Sequence, residues 1–98
     1  MNIEESLIFN TEKPAVLSIK KSEDLNLMAI GLLRDQVLKK HKTNVPATLL
    51  VLKGGIDFLI SDTEIPLVVH DVFQIPVNKE HEVRGTESEN IFILLKEK

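Results

Sequence analysis

The chain has no cysteine, no tryptophan and no tyrosine. Without thiols it forms no disulfide, no thiolate nucleophile and no thiolate zinc site. Four phenylalanines are its only aromatic residues apart from histidine. Surfaces that hold single-stranded nucleic acid stack bases on aromatic rings and track the backbone with excess positive charge. With few rings and a formal net charge of −3, no nucleic-acid partner is expected. No segment approaches the ~20 consecutive apolar residues of a membrane helix. The opening MNIEESLIFN is acidic and lacks an apolar core of signal-peptide length, so a cytoplasmic protein with no membrane partner is expected. Phosphate-binding glycine loops, Gly-x-Ser-x-Gly and Ser/His/Asp patterns are also missing.

What the chain does have is β-branched aliphatic bulk, with ten Ile and nine Val among 98 residues. That length supports a single domain over 1–98 with one core, and that composition favours strands. From residue 47 onward, short apolar runs alternate with turn signals. ATLLVLK (47–53), IDFLIS (56–61), EIPLVVH (64–70), VFQIP (72–76), HEVR (81–84) and NIFILL (90–95) each read as strands. Gly54-Gly55, Asp62-Thr63, His70-Asp71 and Asn78-Lys79 read as the turns between them, with the glycine pair at a hairpin. Strands at this spacing predict an all-β antiparallel sandwich or barrel.

The first half carries a conflict. AVLSIK (15–20) reads as a strand after Pro14. In residues 22–40, Leu25, Met28, Ala29 and Leu32 fall at helical spacing, with Ser22 as a cap and acidic Glu23 and Asp24 behind it. Lys39-Lys40 would suit the helix end. Gly31 opposes the helix by about 1 kcal/mol relative to alanine. Local pattern alone favours a helix here.

Residues 41–54, HKTNVPATLLVLKG, resemble the first motif of the cupin family, His-x-His, a few residues, Glu, six residues, Gly. His41 stands at the first histidine, Thr43 at the second, Ala47 at the glutamate and Gly54 at the glycine. Residues 70–81, HDVFQIPVNKEH, resemble the second motif, Gly-Asp-x-x-x-Ile-Pro-x-Gly-x-x-His, through Asp71, Ile75, Pro76 and His81. His70 and Asn78 replace its two glycines, and both residue types tolerate positive φ in a turn. The resemblance implies a small antiparallel β-barrel or jelly roll, the cupin double-stranded β-helix, with little or no helix. It also implies strands over 27–33 and 36–42, against the local helical spacing.

Metal-binding cupins use both histidines and the glutamate of the first motif and the histidine of the second. Residues two apart on a strand share a face, so a His-x-His pair aims both imidazoles into the barrel. Here the resemblance leaves His41 and His81 but puts a neutral hydroxyl at Thr43 and no donor at Ala47. Two imidazoles fall short of the three or four protein ligands of zinc sites. No cofactor is therefore expected, with a divalent metal at His41 and His81 as the alternative, and His70 reads as a surface turn residue.

The resemblance and the strand alternation together place His41, Thr43, Ala47, Leu49, Val51 and His81 around one pocket. The function expected is non-catalytic binding of a small molecule there. A metal-dependent isomerase or dioxygenase using His41 and His81, or a scaffold for another protein, are the alternatives. The run Lys39-Lys40-His41-Lys42 reads first as a solvated strand end, and otherwise as a lure for an anionic ligand at the barrel mouth. On the opposite face of ATLLVLK, Leu50 and Leu52 join Thr48, where a solvated strand would be polar. SLIF (6–9) is apolar enough to cover them, from the same chain or from a second copy. A two-fold homodimer is the expected assembly.

Overall fold

The computed structural model describes residues 1–98, save the side chain of His41. Nine strands follow one short helical turn, α1, at Ile3–Ser6. They are β1 (Ala15–Lys21), β2 (Leu25–Leu33), β3 (Val37–His41), β4 (Ala47–Lys53), β5 (Gly55–Ile60), β6 (Thr63–Val68), β7 (Val72–Ile75), β8 (His81–Gly85) and β9 (Glu89–Glu97). A five-stranded sheet is ordered β1-β2-β9-β4-β7 and a four-stranded sheet β3-β8-β5-β6. Every ladder is antiparallel. Apart from the β1–β2 and β5–β6 hairpins, each strand crosses to the other sheet from the one before it. That winding makes a double-stranded β-helix, as the motifs imply.

Strand alternation places the core between the sheets. Ala47, Leu49 and Val51 of β4 are buried against Ile56 and Phe58 of β5, Val83 of β8, and Phe92 and Leu94 of β9. The helical spacing in 25–32 resolves as strand β2, because both of its faces are covered. Ile30 and Leu32 face the barrel core, while Ala29 packs outward with Leu7 and Ile91. A strand buried on both sides reads as a near-continuous apolar run, which periodicity alone does not separate from a helix.

The outer cover comes from the N-terminal segment of the same chain. Ile3, Leu7 and Phe9 pack with Ala29, Leu17, Ile91 and Ile93 on the outside of the large sheet. Gly31 allows the approach, since a β-carbon there would collide with Leu7 Cδ2 and stand 3.0 Å from Phe9 Cε1. Lys53 Nζ ties this layer down, 3.0 Å from Glu89 Oε1 and 4.0 Å from Glu4 Oε2. The hydrogen bond to Glu89, with the nearby Glu4 charge, raises the Lys53 pKa above its ordinary value. The cover is incomplete. Leu50 is half-buried, Leu52 is 38% exposed, and Val72 on the edge strand β7 is 59% exposed.

Two turn residues behave as the motifs imply, with φ of 78° at His70 and 61° at Asn78. The β5–β6 hairpin turns on Ser61-Asp62, both at positive φ, as a two-residue connection requires. Gly54-Gly55 is not a hairpin, contrary to expectation. β4 and β5 lie in different sheets, and the glycines form the corner between them. Gly54 has φ of 70°, and a β-carbon on it would run into Asn90 Oδ1 and the Glu89 carbonyl.

Candidate functional site

The pairing of β3 with β8 sets His41 opposite His81 in register, so the backbone brings the two retained motif histidines together. The side chain of His41 lies outside the described residues. His81 is 3% exposed, and its ring stacks on Phe58 with centroids 5.1 Å apart and planes 18° from parallel. Phe58 in turn meets Phe73 at 4.7 Å. His81 Nδ1 lies 3.1 Å from the Lys79 carbonyl oxygen, which accepts only, so this contact puts the proton on Nδ1.

The other motif positions are occupied differently. Thr43 Oγ1 accepts from the Val45 amide at 3.3 Å and reaches the Val45 carbonyl at 3.4 Å, closing a local turn. Ala47 is buried between Ile75 and Lys96 in register and brings no donor atom. Leu49 and Val51 are fully buried in the core. His70 is an exposed turn residue whose amide donates to the Val51 carbonyl at 2.9 Å. Among the described residues no three His, Asp or Glu side chains lie close enough to hold a metal ion. At the three motif positions whose side chains are described, 43, 47 and 81, stand one engaged hydroxyl, one methyl and one imidazole.

Two surface cavities offer room for a ligand. The first, about 650 Å³, lies by the β5–β6 turn and the start of β8. Its charged lining is mixed, with Asp62, Glu64, Glu80 and Glu82 against Lys40 and Lys79. The second, about 420 Å³, opens at the seam between β1–β2–β9 and the edge strand β3. Val16, Met28, Ile30, Leu38 and Leu94 form its apolar wall, and Lys39, Lys40 and Lys96 are the only charged residues on it among the described residues. Met28, Ile30 and Leu94, at the edge of the barrel's inner layer, form the floor of this open cavity. Of the expected pocket residues, Ala47 and Leu49 stand beside the cavity, paired with its lining residues Lys96 and Leu94 across the β4–β9 ladder. Sequence reading missed Lys96 and Met28. Lys96 follows Leu94 at a spacing of two, which puts a lysine on the core face, and that alternation was the available signal.

Away from these cavities, the outer face of the small sheet is tied by Arg84, hydrogen-bonded to Asp57 Oδ2 at 2.8 Å and to Glu64. The Asp57 bond and the two carboxylate charges raise the Arg84 pKa above its already high ordinary value. Asp57 is partly buried, and Glu64 stands more open to solvent, where an ion pair contributes little. No helix among the described residues is long and apolar enough to cross a membrane.

No protein-family model matches the chain, and no curated protein does. Solved structures do match. An RmlC-like cupin protein from Desulfovibrio desulfuricans superposes with TM-score 0.85 at 21% identity, covering 98% of this chain and 93% of that one. A double-stranded β-helix protein from Klebsiella pneumoniae reaches TM-score 0.90 at 13% identity, over 99% and 87%. KdgF from a Halomonas species reaches 0.83 at 17% identity, over 99% and 91%. At such identities the likeness speaks for architecture, and with the winding of the two sheets it assigns this chain the cupin double-stranded β-helix fold.

Proposed function

We propose that this cupin-fold chain is a non-catalytic module that binds a small molecule, without a bound metal, at the seam of its barrel. The observation that carries the reading is the open apolar cavity of about 420 Å³ floored by Met28, Ile30 and Leu94. Small-molecule sites are commonly apolar concavities of ~300–1,000 Å³ with a few convergent polar groups, and this one lies in that range. The residues first expected to line the pocket play a different part in this reading. Ala47, Leu49 and Val51 form the packed wall behind the site, and His81 is a buried ring held by Phe58 and the Lys79 carbonyl. Replacement of two of the family's four ligand positions by Thr43 and Ala47 supports the metal-free and non-catalytic parts of the reading.

The test is a titration of 15N-labelled protein with 1-naphthol, a neutral apolar probe. Shift changes should concentrate on Met28, Ile30, Leu38 and Leu94. Met28→Trp, which fills the cavity from its rim, should abolish them while leaving the fold intact by circular dichroism. Changes scattered over the surface, or unaffected by Met28→Trp, overturn the reading.

A further inference from the structure

The geometry points to an amphipathic monoanion, a carboxylate on an apolar body, as the ligand class of the seam cavity. This rests on the seam-binding reading above and adds its chemistry. The chain carries 15 Asp and Glu against 12 Lys and Arg, so a random patch would favour acid. The seam departs from that balance, with lysine alone as its charged lining among the described residues. The neighbouring cavity, which shares Lys40 with it, holds four carboxylates to two lysines.

Lys96 is the centre of the argument. It sits two residues beyond Leu94 on the core face of β9, opposite Asn26 on one side and Ala47 on the other. It is half-buried and makes no ion pair among the described residues. Lysine stems lie along apolar surface while the ammonium stays at the water boundary. Here that boundary is the cavity's rim, above a wall of Met28, Ile30 and Leu94. A ligand whose apolar body lies on that wall would carry its head to the ammonium. An anionic head accepts charge-assisted hydrogen bonds there, which are roughly twice as strong as neutral ones. A cationic head would meet like charge. Lys40 reaches the same rim but also stands 4.0 Å from Glu80, so its charge is partly answered within the chain. The cavity's modest size suits a medium-length chain or a small ring system rather than a long lipid.

The test compares three probes that share one chain length: decanoate, 1-decanol and decyltrimethylammonium, each below its aggregation threshold. Binding is read from 15N shifts and from calorimetry on the intact protein. Decanoate should bind about tenfold more tightly than decanol, and the cation more weakly than either. Only the decanoate affinity should fall as salt is added, because ions screen an exposed charge pair. Lys96→Met keeps the stem's bulk and should reduce decanoate affinity about tenfold while leaving decanol unchanged. Lys13→Met, remote from the seam, should change neither. Equal affinity for decanoate and decanol, or indifference of decanoate to Lys96→Met at unchanged thermal stability, overturns the anion assignment and leaves seam binding standing. Absence of seam shifts with all three probes overturns both.

Discussion

Replacing Asn90 with alanine should cost this domain a large part of its stability, although Asn90 touches neither cavity. Its side chain is 0% exposed at the start of β9 and uses its full hydrogen-bonding capacity. Oδ1 accepts from the amides of Gly55 at 2.9 Å and Glu87 at 3.0 Å. Nδ2 donates to the carbonyls of Leu32 at 3.0 Å and Glu87 at 2.9 Å. One amide thereby joins the end of β2, the β4–β5 corner and the β8–β9 loop. Alanine would orphan the Gly55 amide in a buried setting, at about 1–3 kcal/mol, and would take the side-chain bond from the Leu32 carbonyl, which keeps its place in the β2–β9 ladder, at about 0.5–1.5 kcal/mol. The two Glu87 groups are only partly buried and regain water, so they add less. The sum is about 2–5 kcal/mol, against a total of ~5–15 kcal/mol for a typical domain. For a chain of this size that corresponds to a fall in Tm of roughly 10–30 °C. With no Trp or Tyr for fluorescence, urea unfolding followed by far-ultraviolet circular dichroism is the appropriate assay. The midpoint should drop at constant slope. Asn90→Asp supplies a second arm, since it keeps the size and an acceptor but loses both donors and sets a carboxylate oxygen against two carbonyls. A loss below ~1 kcal/mol for Asn90→Ala, or wild-type stability for Asn90→Asp, refutes the account.

Other expectations follow from the same structure. Gly31→Ala should push Leu7 and Phe9 off the large sheet, raising hydrogen exchange in residues 3–9 while the barrel strands stay protected. Gly54→Ala meets both a left-handed φ and the Asn90 and Glu89 oxygens, so it should lower the urea midpoint more than Gly31→Ala does. Protein purified without chelator should carry no stoichiometric zinc, iron, nickel or manganese by elemental analysis, and Thr43→His with Ala47→Glu should gain metal affinity. Light scattering should report a two-fold dimer at micromolar concentration, and Val72→Lys, on the exposed edge strand, should return it to monomer.

Much of the fold was legible because strand alternation and turn chemistry are local. ATLLVLK announces an inward face of Ala47, Leu49 and Val51, and those residues are buried as a set. His70 and Asn78 take the positive φ that their place in the motif implies. Thr43 and Ala47 stand where the resemblance puts a histidine and a glutamate. These conclusions need only the two-residue period of a strand and the steric tolerance of a turn.

The rest depended on which segments meet in space. Leu25, Met28, Ala29 and Leu32 keep a helical spacing because the N-terminal segment buries the second face of β2, and nothing local to 25–32 says so. Gly54-Gly55 looks like a hairpin until the ladders send β4 and β5 to different sheets. Asn90 reads only as the polar first residue of the strand NIFILL, yet Leu32, Gly55 and Glu87 converge on it from 58, 35 and 3 residues away. Lys96 is one charge in the mixed run Lys96-Glu97-Lys98 until pairing with Ala47 turns it to the seam beside Met28 and Leu38, residues far away in the chain. Which side chains share a cavity is decided by strand order and register across two sheets, and those are properties of the whole packed chain rather than of any window of it.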